Sequence, residues 1–179
     1  MKPIIGIMGI GSGDISSRQR VLAAKTGKII AEKKLILLTG AGLGIPLIAA
    51  KTAKSCGGKT IGISPAKNPK EHAALGFKTK PFSKIEFTGL GFIGRNFINI
   101  QKSDALIFIG GEHGTLNEFT IAYQQNKIIG ILKGSGGITD LLPQIIKVFT
   151  RKTNAKIIIE KDPEKLMDKI FRALKSLRT

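Results

Sequence analysis
Seven short apolar runs, at residues 4–8, 35–38, 60–63, 85–87, 105–109, 128–132 and 156–159, limit the fold of this chain more than any other feature. Taken together they are apolar without a sustained period-two alternation, so they read as strands buried on both sides. The segments between them have helical spacing at 16–33, 46–55, 92–101, 115–125 and 134–149, with a shorter helical piece near 70–75. A final helix follows the Asp162-Pro163 cap and first-turn pair, with Leu166, Ile170, Leu174 and Leu177 on one stripe. In the helix at 16–33, Val21, Leu22, Ala24, Ile29 and Ile30 form the expected inner face. Buried strands alternating with helices predict a parallel sheet covered on both faces. The expectation is a single doubly wound, Rossmann-like α/β domain over residues 1–179, with about seven mostly parallel strands. Residues 64–83, rich in proline and lysine, read as a long surface loop.

Glycines end most of these strands. In an open α/β sheet ligands bind outside the carboxyl ends of the strands. Four glycine loops directly follow strands: 9–14, 39–44, 110–115 and 134–137. The topology therefore brings Gly11, Ser12, Gly40, Gly42 and Gly44 to the same edge as Gly110, Gly111, Gly114 and Thr115. Arg95 and Asn96 join them, because a helix that starts near residue 92 begins at that edge. Free backbone N–H groups at a helix N-terminus form a natural anion cradle. A cation near a helix start opposes the macrodipole, so Arg95 invites an anionic partner. Glu118 adds a carboxylate one turn into the helix. The same residues have a plain structural reading, in which Thr115-x-x-Glu118 is a capping box. His113 reads as a solvated loop tip, and Cys56 as a small buried packing residue.

Other chemistries are disfavoured. The first glycine loop lacks the G-x-G-x-x-G spacing, and no acid ends the second strand, so no dinucleotide cofactor is expected. No Walker A loop is present. A single cysteine excludes an internal disulfide framework, and with two histidines it leaves no expectation of a metal site. No secretory leader or membrane span is expected, which points to the cytoplasm. The net charge is +17, concentrated in residues 51–84 (eight lysines against Glu71) and 147–179 (ten basic residues against four acids). Such a field concentrates anions of any size. Nucleic acid is a weaker expectation than a small anion, because one tyrosine and no tryptophan leave few platforms for stacking bases.

The motif Gly110-Gly111-x-x-Gly114-Thr115-x-x-Glu118, with Arg95 before the preceding strand and Thr39-Gly40-Ala41-Gly42-x-Gly44 earlier, carries a family resemblance over the whole chain. The sequence resembles the Rossmann-like proteins once labelled "lysine decarboxylase" and grouped around the LONELY GUY nucleotide phosphoribohydrolases. The resemblance implies that Gly110, Gly111, Gly114 and Thr115 hold a 5′-phosphate, and that Arg95 and Glu118 serve cleavage of an N-glycosidic bond. Ile109 before the glycines, the extra loop residue at Glu112-His113 and the Arg95-Asn96 pair look closer to a sister branch. That branch includes molybdenum-cofactor carriers, which hold a phosphorylated pterin without cleaving it. The expected ligand is a phosphorylated small molecule, foremost a purine nucleoside monophosphate. The expected activity is its hydrolysis to free base and ribose 5-phosphate. The alternatives are a non-catalytic carrier or sensor and a basic nucleic-acid-associated protein. The resemblance also implies a homodimer or higher homo-oligomer.

Overall fold
The structure, a computed structural model, describes residues 2–176. Its strands are β1 (Ile4–Gly9), β2 (Ile36–Thr39), β3 (Lys59–Ser64), β4 (Lys84–Phe87), β5 (Ala105–Ile109), β6 (Ile128–Leu132) and β7 (Lys156–Glu160). They form one seven-stranded sheet in the order β4-β3-β2-β1-β5-β6-β7. Every pair is parallel. The chain builds outward from β1 to β4, then crosses back to lay β5 beside β1 and builds the other way. The order thus reverses between β1 and β5, and a crevice opens there at the carboxyl ends.

The helices are α1 (Ser17–Glu32), α2 (Gly44–Ser55), α3 (Pro69–Ala74), α4 (Gly91–Lys102), α5 (His113–Gln124), α6 (Gly137–Val148) and α7 (Pro163–Ser176). α1, α2 and α7 cover one face, where Leu22, Ile30, Ala49, Leu166 and Ile170 meet Ile5, Ile7, Leu37 and Ile107. α4, α5 and α6 cover the other, where Ile100, Phe119, Ala122 and Leu142 meet Met8, Leu38, Leu106 and Phe108. Successive strand residues therefore point to opposite cores, which is why the strands read as unbroken apolar runs. None of the described helices is long and apolar enough to cross a membrane.

Side-chain caps fix three helix starts, those of α1, α3 and α7. Ser16 caps α1 through a capping box with Gln19. Asp162 Oδ1 accepts the backbone N–H groups of Glu164 and Lys165 at the start of α7. Several expectations are corrected. Val21 is 64% exposed, because the inner stripe of α1 runs through Leu22, Ala23, Thr26, Gly27, Ile29 and Ile30. Cys56 is exposed at the end of α2; the residue packed inward at that turn is Ala53. The 64–83 segment is only partly a surface loop. It carries α3, capped by Asn68, and buries His72, Ala66 and Phe82. Leu177 lies outside the described residues.

α1 and α2 pack closely enough that a Cβ on Gly27 would lie 2.3 Å from the Ala49 carbonyl oxygen. Gly27→Ala gains helix propensity worth about 1 kcal/mol. It also drives a methyl into backbone, an overpacking cost of about 1–3 kcal/mol. The expected result is a lower guanidinium midpoint; an unchanged or raised midpoint would show that the two helices part freely.

Candidate functional site
The crevice is a cleft of about 380 Å³. That volume lies within the range of small-molecule sites, roughly 300–1,000 Å³. Its floor is the loop after β1 (Gly9 to Ser12) and the loop after β2 (Gly40, Gly42, Leu43). One wall is the start of α5, with Glu112, His113, Gly114, Thr115 and Glu118; the other is α4, with Phe92, Arg95 and Asn96. Leu75 and Phe77, which follow α3, close the apolar end.

Arg95 projects from α4 across the loop after β2. A Cβ on Gly40 would lie 1.1 Å from Arg95 Nη1, so residue 40 must be glycine for the guanidinium to lie where it does. The guanidinium carbon is 6.0 Å from the centroid of the Phe92 ring. Arg95 Nε is buried and has no hydrogen-bond partner. Burial lowers the pKa of Arg95 from its ordinary value, and the nearby Glu118 carboxylate opposes that shift. An under-partnered cation in a cleft suits an anionic or electron-rich ligand.

Glu118 is 6% exposed and faces the cleft. Its Oε1 accepts a hydrogen bond from Asn99 Nδ2 at 3.0 Å. The Asn96 amide lies 2.9 Å from Asn117 Oδ1. Turned so that its nitrogen faces Glu118, it donates to Oε1 at 3.3 Å and to the Phe92 carbonyl at 3.1 Å. Burial raises the Glu118 pKa to about 6, against the opposing pull of Arg95 and the Asn99 hydrogen bond. Among the described residues no ion pair joins Glu118 to Arg95 directly.

The capping-box reading of Thr115 and Glu118 is corrected. α5 starts two residues earlier, at His113, with Glu112 as its cap residue. Thr115 is therefore inside the first turn, and the Glu118 side chain turns to α4 instead of back to its own helix. His113 is exposed at the first helical position and belongs to the cleft rim, not to a loop tip.

Three of the four glycine loops line the cleft. The fourth, Gly134 to Gly136, borders a separate groove with Gly13, Arg18 and Gln19. Gly110 and Gly111 line neither cavity and bond instead to Ser135 and the start of α6. Gly110 N–H donates to Ser135 Oγ at 2.9 Å, and its carbonyl accepts from Thr139 N at 3.2 Å. The Gly111 carbonyl accepts from Ile138 N at 2.9 Å. Both glycines have positive φ, and their carbonyls cap the start of α6. The helix N-terminus at the cleft is that of α5, where Gly114 and Thr115 are among the lining residues and Leu116 N bonds to the Glu112 carbonyl at 3.0 Å. Gly44 is also behind the cleft; a Cβ there would lie 2.1 Å from the Ile10 carbonyl oxygen. The cleft thus gathers Gly11, Ser12, Gly40, Gly42, Arg95, Asn96, Gly114, Thr115 and Glu118. Sequence reasoning missed Asn99 and the apolar lining of Leu43, Pro46, Leu75, Phe77 and Phe92.

The SLOG cluster4 family model matches residues 2–167 of this chain. An uncharacterized protein of Archaeoglobus fulgidus is 35% identical over 130 residues, covering 72% of this chain and 79% of that protein. The molybdenum cofactor binding protein of Rippkaea orientalis is similar in structure, with a TM-score of 0.80, 33% identity, and coverage of 100% of this chain and 99% of that one. The molybdenum cofactor carrier protein of Chlamydomonas reinhardtii gives a TM-score of 0.79, 32% identity, and coverage of 98% and 99%.

The raised Glu118 pKa has a consequence for stability. The folded state holds this proton more tightly than the unfolded chain does, where the value is near 4.5. Its contribution is therefore complete below about pH 4.5 and is lost as pH rises through about 6. A shift of that size corresponds to about 2 kcal/mol. Glu118→Gln, which cannot ionise, should gain that much relative to wild type between pH 4.5 and 7.5 in guanidinium unfolding. Parallel stability curves for the two proteins would contradict the assignment.

Proposed function
The chain belongs to the SLOG cluster4 family, and from that premise we propose that it is a carrier, holding a phosphorylated ligand of the molybdenum-cofactor kind in the cleft and releasing it unchanged. The observation that carries this reading is the buried Arg95 guanidinium laid over Gly40, with an unpartnered Nε, in one cleft with the first turn of α5. A helix N-terminus and a cation supply what a phosphate needs, and Phe77 and Phe92 supply an apolar wall for a planar ring. The residues therefore suit a phosphorylated pterin, which is what the molybdenum cofactor presents. Full-length likeness at about one-third identity to two proteins named for binding that cofactor supports the same reading.

The juxtaposition of Arg95 and Glu118 also suits hydrolysis of a nucleoside 5′-monophosphate. Such a bond breaks through an oxocarbenium-like state that a nearby carboxylate stabilises. Glu118 would supply that charge, and Arg95 would orient the phosphoribosyl group. The two readings separate in one experiment. Calorimetry with a phosphorylated pterin and with nucleoside monophosphates should show one site per chain, weakened at least about 10-fold in Arg95→Ala, which is the loss of one charge-assisted hydrogen bond. Chromatography of the same mixtures should show no free base. Free base that disappears in Glu118→Ala would replace the carrier with the hydrolase, and affinity for oligonucleotides alone would overturn both.

We also propose that the chain forms a homodimer through α4. Leu90, Ile93 and Phe97 are exposed along one side of it, Ile93 by 70%. Arg95, the one charged residue from Leu90 to Gln101, is turned into the cleft. On a chain of net charge +17, a charge-poor apolar face is where two copies meet with least repulsion. Light scattering should give twice the chain mass, reduced to one in Ile93→Asp. A monomeric wild type would remove the proposal.

A further inference from the structure
We propose that Glu118 selects the ligand's ring, accepting two adjacent N–H groups from a 2-amino-4-oxopyrimidine edge such as that of a pterin or guanine. This rests on the cleft being the ligand site, and it assigns Glu118 to recognition instead of bond cleavage.

The case begins with how the carboxylate is held. Asn99 is fully buried on α4 and donates to Oε1. With the Asn96 amide donating to Asn117 Oδ1 at 2.9 Å, Asn99 takes one lone pair of Oε1. Oε1 then keeps one acceptor position and Oε2 has no protein hydrogen bond, while the side chain lines the cleft. Asn99 Oδ1 is buried without a partner, so the Glu118 contact is what the Asn99 side chain is placed to make. Arg95 makes no direct pair with the carboxylate and keeps its donors for the ligand.

A carboxylate oriented this way accepts and never donates while ionised. The neutral planar ring that answers it carries an N–H beside an exocyclic NH2, which is the guanine and pterin edge. Adenine offers an NH2 beside a ring nitrogen acceptor, so one carboxylate oxygen would face a lone pair. Hypoxanthine offers the N–H without the NH2. Phe77 and Phe92, with ring centroids 6.3 Å apart at 80°, give the ring an apolar wall next to this reader. A matched bidentate pair discriminates by about 1–3 kcal/mol, which is roughly 5- to 150-fold in affinity.

The test is calorimetry with GMP, IMP, AMP and ribose 5-phosphate, on wild type and on Glu118→Gln. The expected order is GMP, then IMP, then AMP, with at least about 10-fold between the first and last. In Glu118→Gln the GMP–AMP difference collapses while ribose 5-phosphate binds as before. Asn99→Ala, which frees the carboxylate without removing it, should narrow the difference by part of that amount. AMP binding as tightly as GMP, with ribose 5-phosphate still bound, overturns the ring assignment and leaves the phosphate site standing. No binding of any of these probes, nor of the phosphorylated pterin titrated for the proposed function, overturns the ligand site together with it. The wild-type series decides the matter even if the variants fail to fold.

Discussion
The pairing of β1 with β5 is the contact on which the rest depends. It joins segments a hundred residues apart, in register from Ile5 against Ala105 to Gly9 against Ile109. At the amino end the register is locked twice: Ile4 N–H donates to the Asp104 carboxylate at 2.7 Å, and Asp104 N–H donates to the Ile4 carbonyl at 2.9 Å. At the carboxyl end Gly9 is pressed against Ile109, and a Cβ there would lie 2.3 Å from its carbonyl oxygen. Because the pair is parallel and ends level, the loops after β1 and β5 leave the sheet side by side. The cleft is the space they leave. A slip of one residue would turn the slipped strand's side chains to the wrong cores and move one loop away from the other.

The floor of that cleft is ordinary packing, but its walls are not. Arg95 Nε and Asn99 Oδ1 are both buried without partners. Each such group costs about 1–3 kcal/mol. Glu118 adds a carboxyl whose ionised form is opposed by burial. Two of the three buried side-chain atoms without partners among the described residues, with Glu118, lie on one side of α4 and the facing turn of α5; the third, His72 Nε2, lies on α3. Local rules broken together in one place mark a surface shaped for a partner. Behind it, His72 donates to or accepts from Ser64 Oγ at 2.9 Å and packs edge-on to Phe77, which fixes the aromatic end of the cleft to the core.

Much of this was legible in the chain itself. Unbroken apolar strands gave away a sheet covered on both faces, and glycine at strand ends gave away the edge at which the cleft opens. Arg95 and Glu118 stood out because a cation at a helix start and an acid after a glycine loop resist a purely local explanation. What stayed hidden depends on contacts between distant segments. The carbonyls of Gly110 and Gly111 accept from the start of α6, more than twenty residues later, a pairing no local motif announces. Asn99 carries no motif and gains meaning only when α4 lies against α5. Phe77 fell within a stretch whose lysines and prolines suggested solvent, although α3 folds it back over the cleft. Val21 and Cys56 misled because apolarity alone does not choose between the core and an exposed face.

That lysine-rich stretch also gives the net charge a physical role. Leu75 and Phe77 form the cleft's apolar end, and Lys67, Lys70, Lys78 and Lys80 around them are exposed. Mobile surface ammonium groups add little to the affinity of a bound phosphate, because water and salt screen them. They do raise the potential at the mouth, and a basic rim of this kind speeds the arrival of an anion. The buried Arg95 acts differently, since a cation removed from water interacts more strongly with what it touches and is less screened. On the carrier reading proposed above, capture and retention would fall to separate groups: exposed lysines would govern how often an anion reaches the cleft, and the cation over Gly40 how long it stays. That separation would allow release to be tuned at the wall formed by α4 and α5 without slowing collection.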